Sequence, residues 1–125
     1  MARELNDTLV GGVSISSAYT SEAVELLFLD GYSISAKWSN LSGVSGASIK
    51  LEGSNVIARS NAGKAEASTD EDDWFEICGS SRAITATGGR LWNVMNAKYR
   101  WVRISVAISA GSFDLTAYIN GKAGG

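Results

Sequence analysis

Apolar and polar residues alternate in four clear runs along the chain, each with the two-residue period of a strand buried on one face. In residues 32–38, Tyr32, Ile34, Ala36 and Trp38 share one side while Ser33, Ser35 and Lys37 share the other. Ala47, Ile49 and Leu51 alternate with Ser48, Lys50 and Glu52, and Phe113, Leu115, Ala117 and Ile119 alternate with Ser112, Asp114, Thr116 and Tyr118. The fourth run sets Val102, Ile104, Val106 and Ile108 against Arg103, Ser105, Ala107 and Ser109. Shorter strand signals lie at 13–19, 23–28, 74–78, 83–87 and 90–95. Between them stand segments of turn chemistry: Leu29-Asp30-Gly31, 39–46, Thr87-Gly88-Gly89 and Ala110-Gly111. Residues 53–73 break the rhythm and read as a long loop, a feature that compact domains reserve for function or mobility. Residues 1–12 mix charge and glycine without a period. They predict an N-terminal arm, with one helical turn at 3–7, ahead of a single domain over 13–125. Short alternating strands with wet outer faces and no amphipathic helix predict an all-β fold, an antiparallel β-sandwich or jelly roll of about eight strands.

The fourth run poses a question of direction. Carried backwards, its phase puts Tyr99 and Trp101 outside with Arg103 and turns Lys98 and Arg100 inward. Either two large aromatics lie on the surface, or a bulge offsets the strand there. Taking 99–109 and 113–120 as one hairpin places Tyr99, Trp101, Arg103 and Tyr118 outward together. Aromatic rings beside arginine are the chemistry of binding hot spots, so these four residues are the candidate subunit or partner contact. Trp38, Trp74 and Trp92 are expected in the core, where indoles bury the largest area.

Composition removes most catalytic readings. The chain of 125 residues has no histidine, one cysteine and no proline. Without histidine the commonest general base and metal ligand are missing, and a lone Cys78 can build neither an internal disulfide nor a thiolate zinc site. No GxSxG elbow is present. The acidic run Asp70, Glu71, Asp72 and Asp73 lacks the spacing and glycine of a calcium loop, and reads as a solvated tip. No catalytic, metal or cofactor residue is therefore assigned, and the expectation is a protein that is not an enzyme. A net charge of −2 without a basic block argues against a grip on nucleic acid or an anionic membrane. The opening MARELNDTLVGG lacks the apolar stretch of a secretory signal, and no run is long enough to span a bilayer.

The order of motifs carries a resemblance. YSISAKWSN, ASIKLEGSN, DWFEICGSS, GGRLWNVMNAKYRWVRISV and GSFDLTAYINGK, spanning residues 30 to 123, resemble a family of small virion proteins of tailed and other bacteriophages. The segment from LWNV to WVR is the most specific part. Residues 55–73 depart from that pattern in being longer than the family's tight turn. The same succession is distantly similar to discoidin-type domains, through Tyr99 to Ile104, but the cysteine pair and apolar spikes of those ligand binders are missing here. What the phage resemblance implies is a structural protein of the virion, made in the host cytoplasm. It would be a decoration or minor capsid protein stabilising the coat lattice, with phage coat or other virion proteins as partners and a homo-oligomeric state. The alternative it leaves open is a tail, fibre or vertex-spike component that binds a host-surface glycan or receptor.

Overall fold

The four alternating runs become central strands of two facing sheets in a computed structural model, which describes residues 4–27, 29–59, 63–95 and 97–122. In chain order the strands are β1 (Glu4–Ile15), β2 (Tyr19–Thr20), β3 (Val24–Glu25), β4 (Gly31–Ser45), β5 (Ser48–Ser54) and β6 (Ile57–Arg59). They continue with β7 (Ala65–Ala67), β8 (Phe75–Glu76), β9 (Arg82–Ala83), β10 (Gly88–Met95), β11 (Trp101–Ala107) and β12 (Ala110–Lys122). One sheet has four antiparallel strands in the order β1-β12-β4-β10. The other is built on the antiparallel pair β5–β11, with the short β2 and β3 bridging to β11 and the short β8 and β9 to β5. The fold is thus an all-β sandwich of antiparallel sheets.

Alternation is what joins the layers. Ile34, Leu115, Ala117 and Ile119 point in from the four-stranded sheet and meet Ile49, Leu51, Val102 and Ile104 from the other, all fully buried. Each large aliphatic side chain so placed contributes about 1.5–3 kcal/mol. Two indoles fasten polar edges to this core: Trp38 Nε1 donates to the carbonyl of Ala86 at 2.9 Å and Trp92 Nε1 to that of Ser80 at 2.9 Å. Trp38, Trp74 and Trp92 are all buried as expected, although Trp74 lies on the outer side of the β5–β11 sheet, against Arg103, and not between the layers.

The expected arm is not separate from the sandwich where it is described. From residue 4 onward it is strand β1, registered on β12 from Glu4 opposite Lys122 to Ile15 opposite Phe113. Its period was hidden because the register slips between Thr8 and Val10 and again between Val10 and Val13, where Gly12 sits at φ 68°. Leu9 and Val10 are consecutive yet both buried, which simple alternation forbids. The expected loop 39–46 is likewise a bulged continuation of β4 as far as Ser45, with Leu41 and Val44 packed partly against the core. Gly111 permits that pairing: a Cβ there would lie 2.4 Å from the backbone of Gly43. Within 53–73 the chain forms the β6–β7 hairpin and a 3₁₀ turn at Glu71–Asp73.

A larger correction concerns the last two strands. β11 and β12 are consecutive but belong to opposite sheets, so they do not form a hairpin. Alternation tells which side of a strand faces the core; it carries no information about which sheet the strand joins. The Ala107–Ala110 link crosses between layers, with Ser109 N donating to Ser45 O at 3.0 Å.

Candidate functional site

The four residues expected on one surface are distributed over both sides of the sandwich. Trp101 and Arg103 point outward from β11, yet each is only 7% exposed. For Arg103 the reason is a cover made by the segment around residue 71. Arg103 Nε donates to Glu52 Oε1 at 2.9 Å and its Nη2 donates to Glu71 Oε2, while its guanidinium lies 4.2 Å from the ring centroid of Trp74. Trp74 is held in turn by its Nε1 donating to the carbonyl of Ser68 at 3.0 Å. The acidic run therefore has structural work: Asp70 caps the 3₁₀ turn by accepting from Asp72 N, Asp73 accepts from the Ser68 hydroxyl, and Glu71 reaches Arg103. Next along the sheet, Arg100 turns back onto Glu25 at 2.7 Å and lies 5.8 Å from the Trp101 ring. Arg103 thus loses the accessibility that alternation gave it, because charge pairing and cation–π attraction recruit a cover from a segment without strand period, while Trp101 is flanked by the Arg100–Glu25 pair.

Tyr99 lies just before β11 and is half-buried. Its hydroxyl is 2.5 Å from that of Tyr32, and the rings meet edge to face with centroids 6.4 Å apart. Gly53 makes room for it, since a Cβ at that position would sit 2.9 Å from the ring. Burial pushes the Tyr32 phenol far above its ordinary range, and the Tyr99 contact adds to the rise. Burial raises Tyr99 as well, partly opposed by the bond from Tyr32. Phenols raised in the folded state give stability that is complete below their unfolded value of about 10 and lost as pH rises above it, because the unfolded chain ionises first. Urea unfolding is accordingly expected to show a lower midpoint at pH 10.5 than at pH 8, with a smaller drop in Tyr32→Phe. An equal drop in both proteins would disprove the contribution of this pair.

Tyr118 alone of the four is well exposed, at 46%, and it belongs to the other side of the molecule. On the outer face of the four-stranded sheet it stands opposite Ser35 of β4 and Thr8 of β1, while Ser35 in turn stands opposite Leu91 of β10. Leu91 and Tyr118 thus lie in one row across the sheet, two strand spacings apart, about 9.5 Å. The next row contains Asn93, Ser33, Asn120 and Asn6, and Met95 follows Asn93 on the same face of β10. Leu91 is 65% and Met95 71% exposed. Among the described residues, β1 and β10 are each paired along one side only, leaving both edges of this sheet with free backbone donors and acceptors. The result is a broad face of serine and amide groups with three large apolar or aromatic projections and two edges open to strand addition. Leu91 and Met95 were readable in the RLWNVM segment, where they alternate against Arg90, Trp92 and Val94. Large apolar residues on the wet phase of a strand were the available signal.

No protein-family model matches the chain, and no curated protein matches it. Among solved structures, the crystal structure of SPBc2 prophage-derived protein YomS aligns with a TM-score of 0.48 and 18% identity, over 96% of this chain and 95% of that one. No helix among the described residues is long and apolar enough to cross a membrane.

Proposed function

We propose that this chain is a non-enzymatic structural component of a bacteriophage particle, a decoration or minor capsid protein that attaches through the outer face of its four-stranded sheet. The observation carrying this reading is the uncovered surface of Leu91, Met95 and Tyr118 between two open strand edges. Apolar projections surrounded by serine and asparagine suit a flat protein contact that excludes water at its centre and hydrogen-bonds at its rim. The motif resemblance over residues 30 to 123 supplies the particle context. Repetition under lattice symmetry makes a modest single contact sufficient, and an open edge such as β10 also provides a route to a small homo-oligomer. A second reading, a tail, fibre or vertex-spike component recognising a host-surface glycan, has its own support. Tyr118 borders a shallow polar hollow of about 450 Å³ with Asn6, Asp7, Thr8 and Asn120, a ring with amide and carboxylate groups suited to sugar hydroxyls.

Quantitative mass spectrometry of purified particles separates the two. The decoration reading expects copy numbers comparable with the major coat protein; a handful per particle would favour the spike. The double variant Leu91→Lys, Met95→Lys is expected to fold with an unchanged circular dichroism spectrum, since both side chains are exposed, and to fall at least about tenfold in particle occupancy, the equivalent of about 1.4 kcal/mol. Full occupancy by that variant would exclude this face as the attachment surface.

A further inference from the structure

On the opposite side of the molecule from Leu91 and Tyr118, a pocket of about 390 Å³ opens where the end of β5 meets β8. Val56, Phe75, Ile77 and Tyr99 make its apolar walls. Phe75 is 70% exposed and Val56 42%, so neither is accounted for by the core, and an exposed phenylalanine lining a cavity is the kind of apolar surface that marks an interaction site. The wall formed by Tyr99 is pre-organised, because its hydroxyl is tied to Tyr32 and its ring rests where Gly53 lacks a side chain. A rigid wall lowers the entropy cost of seating a side chain against it.

The charged side chains lining this pocket, Asp73 and Glu76, are of one sign. The neighbouring Asp70 and Asp72 are exposed. Lys50 only partly offsets them, reaching Glu76 at 3.7 Å and sharing itself with Glu52 at 3.8 Å. Arg100 and Arg103 are engaged by Glu25, Glu52 and Glu71. An apolar hollow with an acidic surround fits one kind of occupant better than a bare hydrophobe or an acidic segment.

From this complementarity we infer that the pocket receives the aromatic or long aliphatic anchor side chain of a partner protein, on a segment where lysine or arginine flanks the anchor and meets Asp73 and Glu76. The pocket lies at the small end of the ligand-site range of about 300–1,000 Å³, a size suited to one anchoring side chain, and buried anchors of this sort dominate protein interfaces. The inference is independent of whether the four-stranded sheet is the lattice contact.

Cys78 lines the same pocket, is exposed, and is the only cysteine in the chain, so its thiol reports occupancy directly. The test uses three blocked tripeptides, acetyl-Lys-Trp-Lys-amide, acetyl-Glu-Trp-Glu-amide and acetyl-Lys-Ala-Lys-amide, added to the full chain. Two readouts are followed: the rate of Cys78 alkylation by neutral iodoacetamide, and amide shifts in a two-dimensional NMR spectrum. Saturable slowing of alkylation by the Lys-Trp-Lys peptide, with shifts at residues 53–56 and 75–78, is expected. The other two peptides should bind at least about tenfold more weakly, a difference of about 1.4 kcal/mol. Phe75→Ala, which removes an exposed ring and leaves the fold intact, should abolish the protection. Equal binding of all three peptides, or of none, overturns the proposal. So does saturation of the same site by methyl glycosides, or protection of Cys78 that grows with protein concentration alone and marks a second copy as the occupant.

Discussion

Arg103→Ala should lower the melting temperature by on the order of 10 °C and leave the uncovered face of the four-stranded sheet untouched. Only 8% of the Arg103 side chain and 12% of the Glu52 side chain are accessible, so the substitution leaves a nearly buried carboxylate without its closest partner. Removing one member of a buried pair typically costs about 3–5 kcal/mol. Lys50, 3.8 Å from Glu52, brings the expected value toward the lower end, and at a domain of this size each kcal/mol shifts the midpoint by about 4 °C. Trp74 loses its guanidinium partner in the same step, and the cover around residue 71 loosens with it. Glu71→Gln should cost far less, under about 1 kcal/mol, because that carboxylate is 70% exposed. Thermal denaturation of the three proteins decides the matter. If Arg103→Ala melts with the parent while particle binding falls, Arg103 is a partner contact and the cover is dispensable.

Deleting residues 1–12 is the second large effect. An arm would come away with no change in the remaining domain, whereas β1 is part of the sandwich. The deletion removes the buried Leu9 and Val10, worth about 3–6 kcal/mol together, a large share of the 5–15 kcal/mol that stabilises an ordinary domain. It also strips β12 of one of its two strand partners from Ala117 to Lys122, uncovering that edge beside the core residues Ala117 and Ile119. The truncated chain is expected to be insoluble or to elute as aggregates, with the near-ultraviolet signal of its tryptophans lost. A monodisperse, cooperatively melting product would show that β1 contributes little.

The strands that could be read from the sequence were those in which every second residue is apolar without interruption: the centres of β4, β5, β11 and β12. Their inward faces came out in the expected phase. Strand β1 escaped because two slips of register place adjacent residues on the same side, and the outer half of β4 escaped because Asn40 and Gly43 adopt positive φ within a serine-rich stretch that imitates a loop. For the candidate contact residues the limit was of another kind. Tyr99, Trp101, Arg103 and Tyr118 do point away from the central layer or stand at its margin, but burial of an outward side chain depends on what folds over it. The Arg103 to Glu71 pairing spans 32 residues and leaves no periodic trace. Tyr118 stayed accessible because β12 is an inner strand whose outer face is crossed by nothing among the described residues, while its sheet partners there are the small Ser35 and Thr8. Leu91 and Met95, in contrast, were written plainly in the alternation of RLWNVM.

The crossing of the chain between β11 and β12 makes the molecule directional. One broad side ends in open backbone edges and neutral amide groups; the other is closed over by its own ion pairs and ends in a tip of carboxylates. If the attachment proposed above holds, a shell of such molecules fixed through the first side would show its surroundings the second. In that arrangement the exposed carboxylates among residues 70–76 would face outward, and such a coat would meet other anionic surfaces with repulsion built into the orientation of every copy.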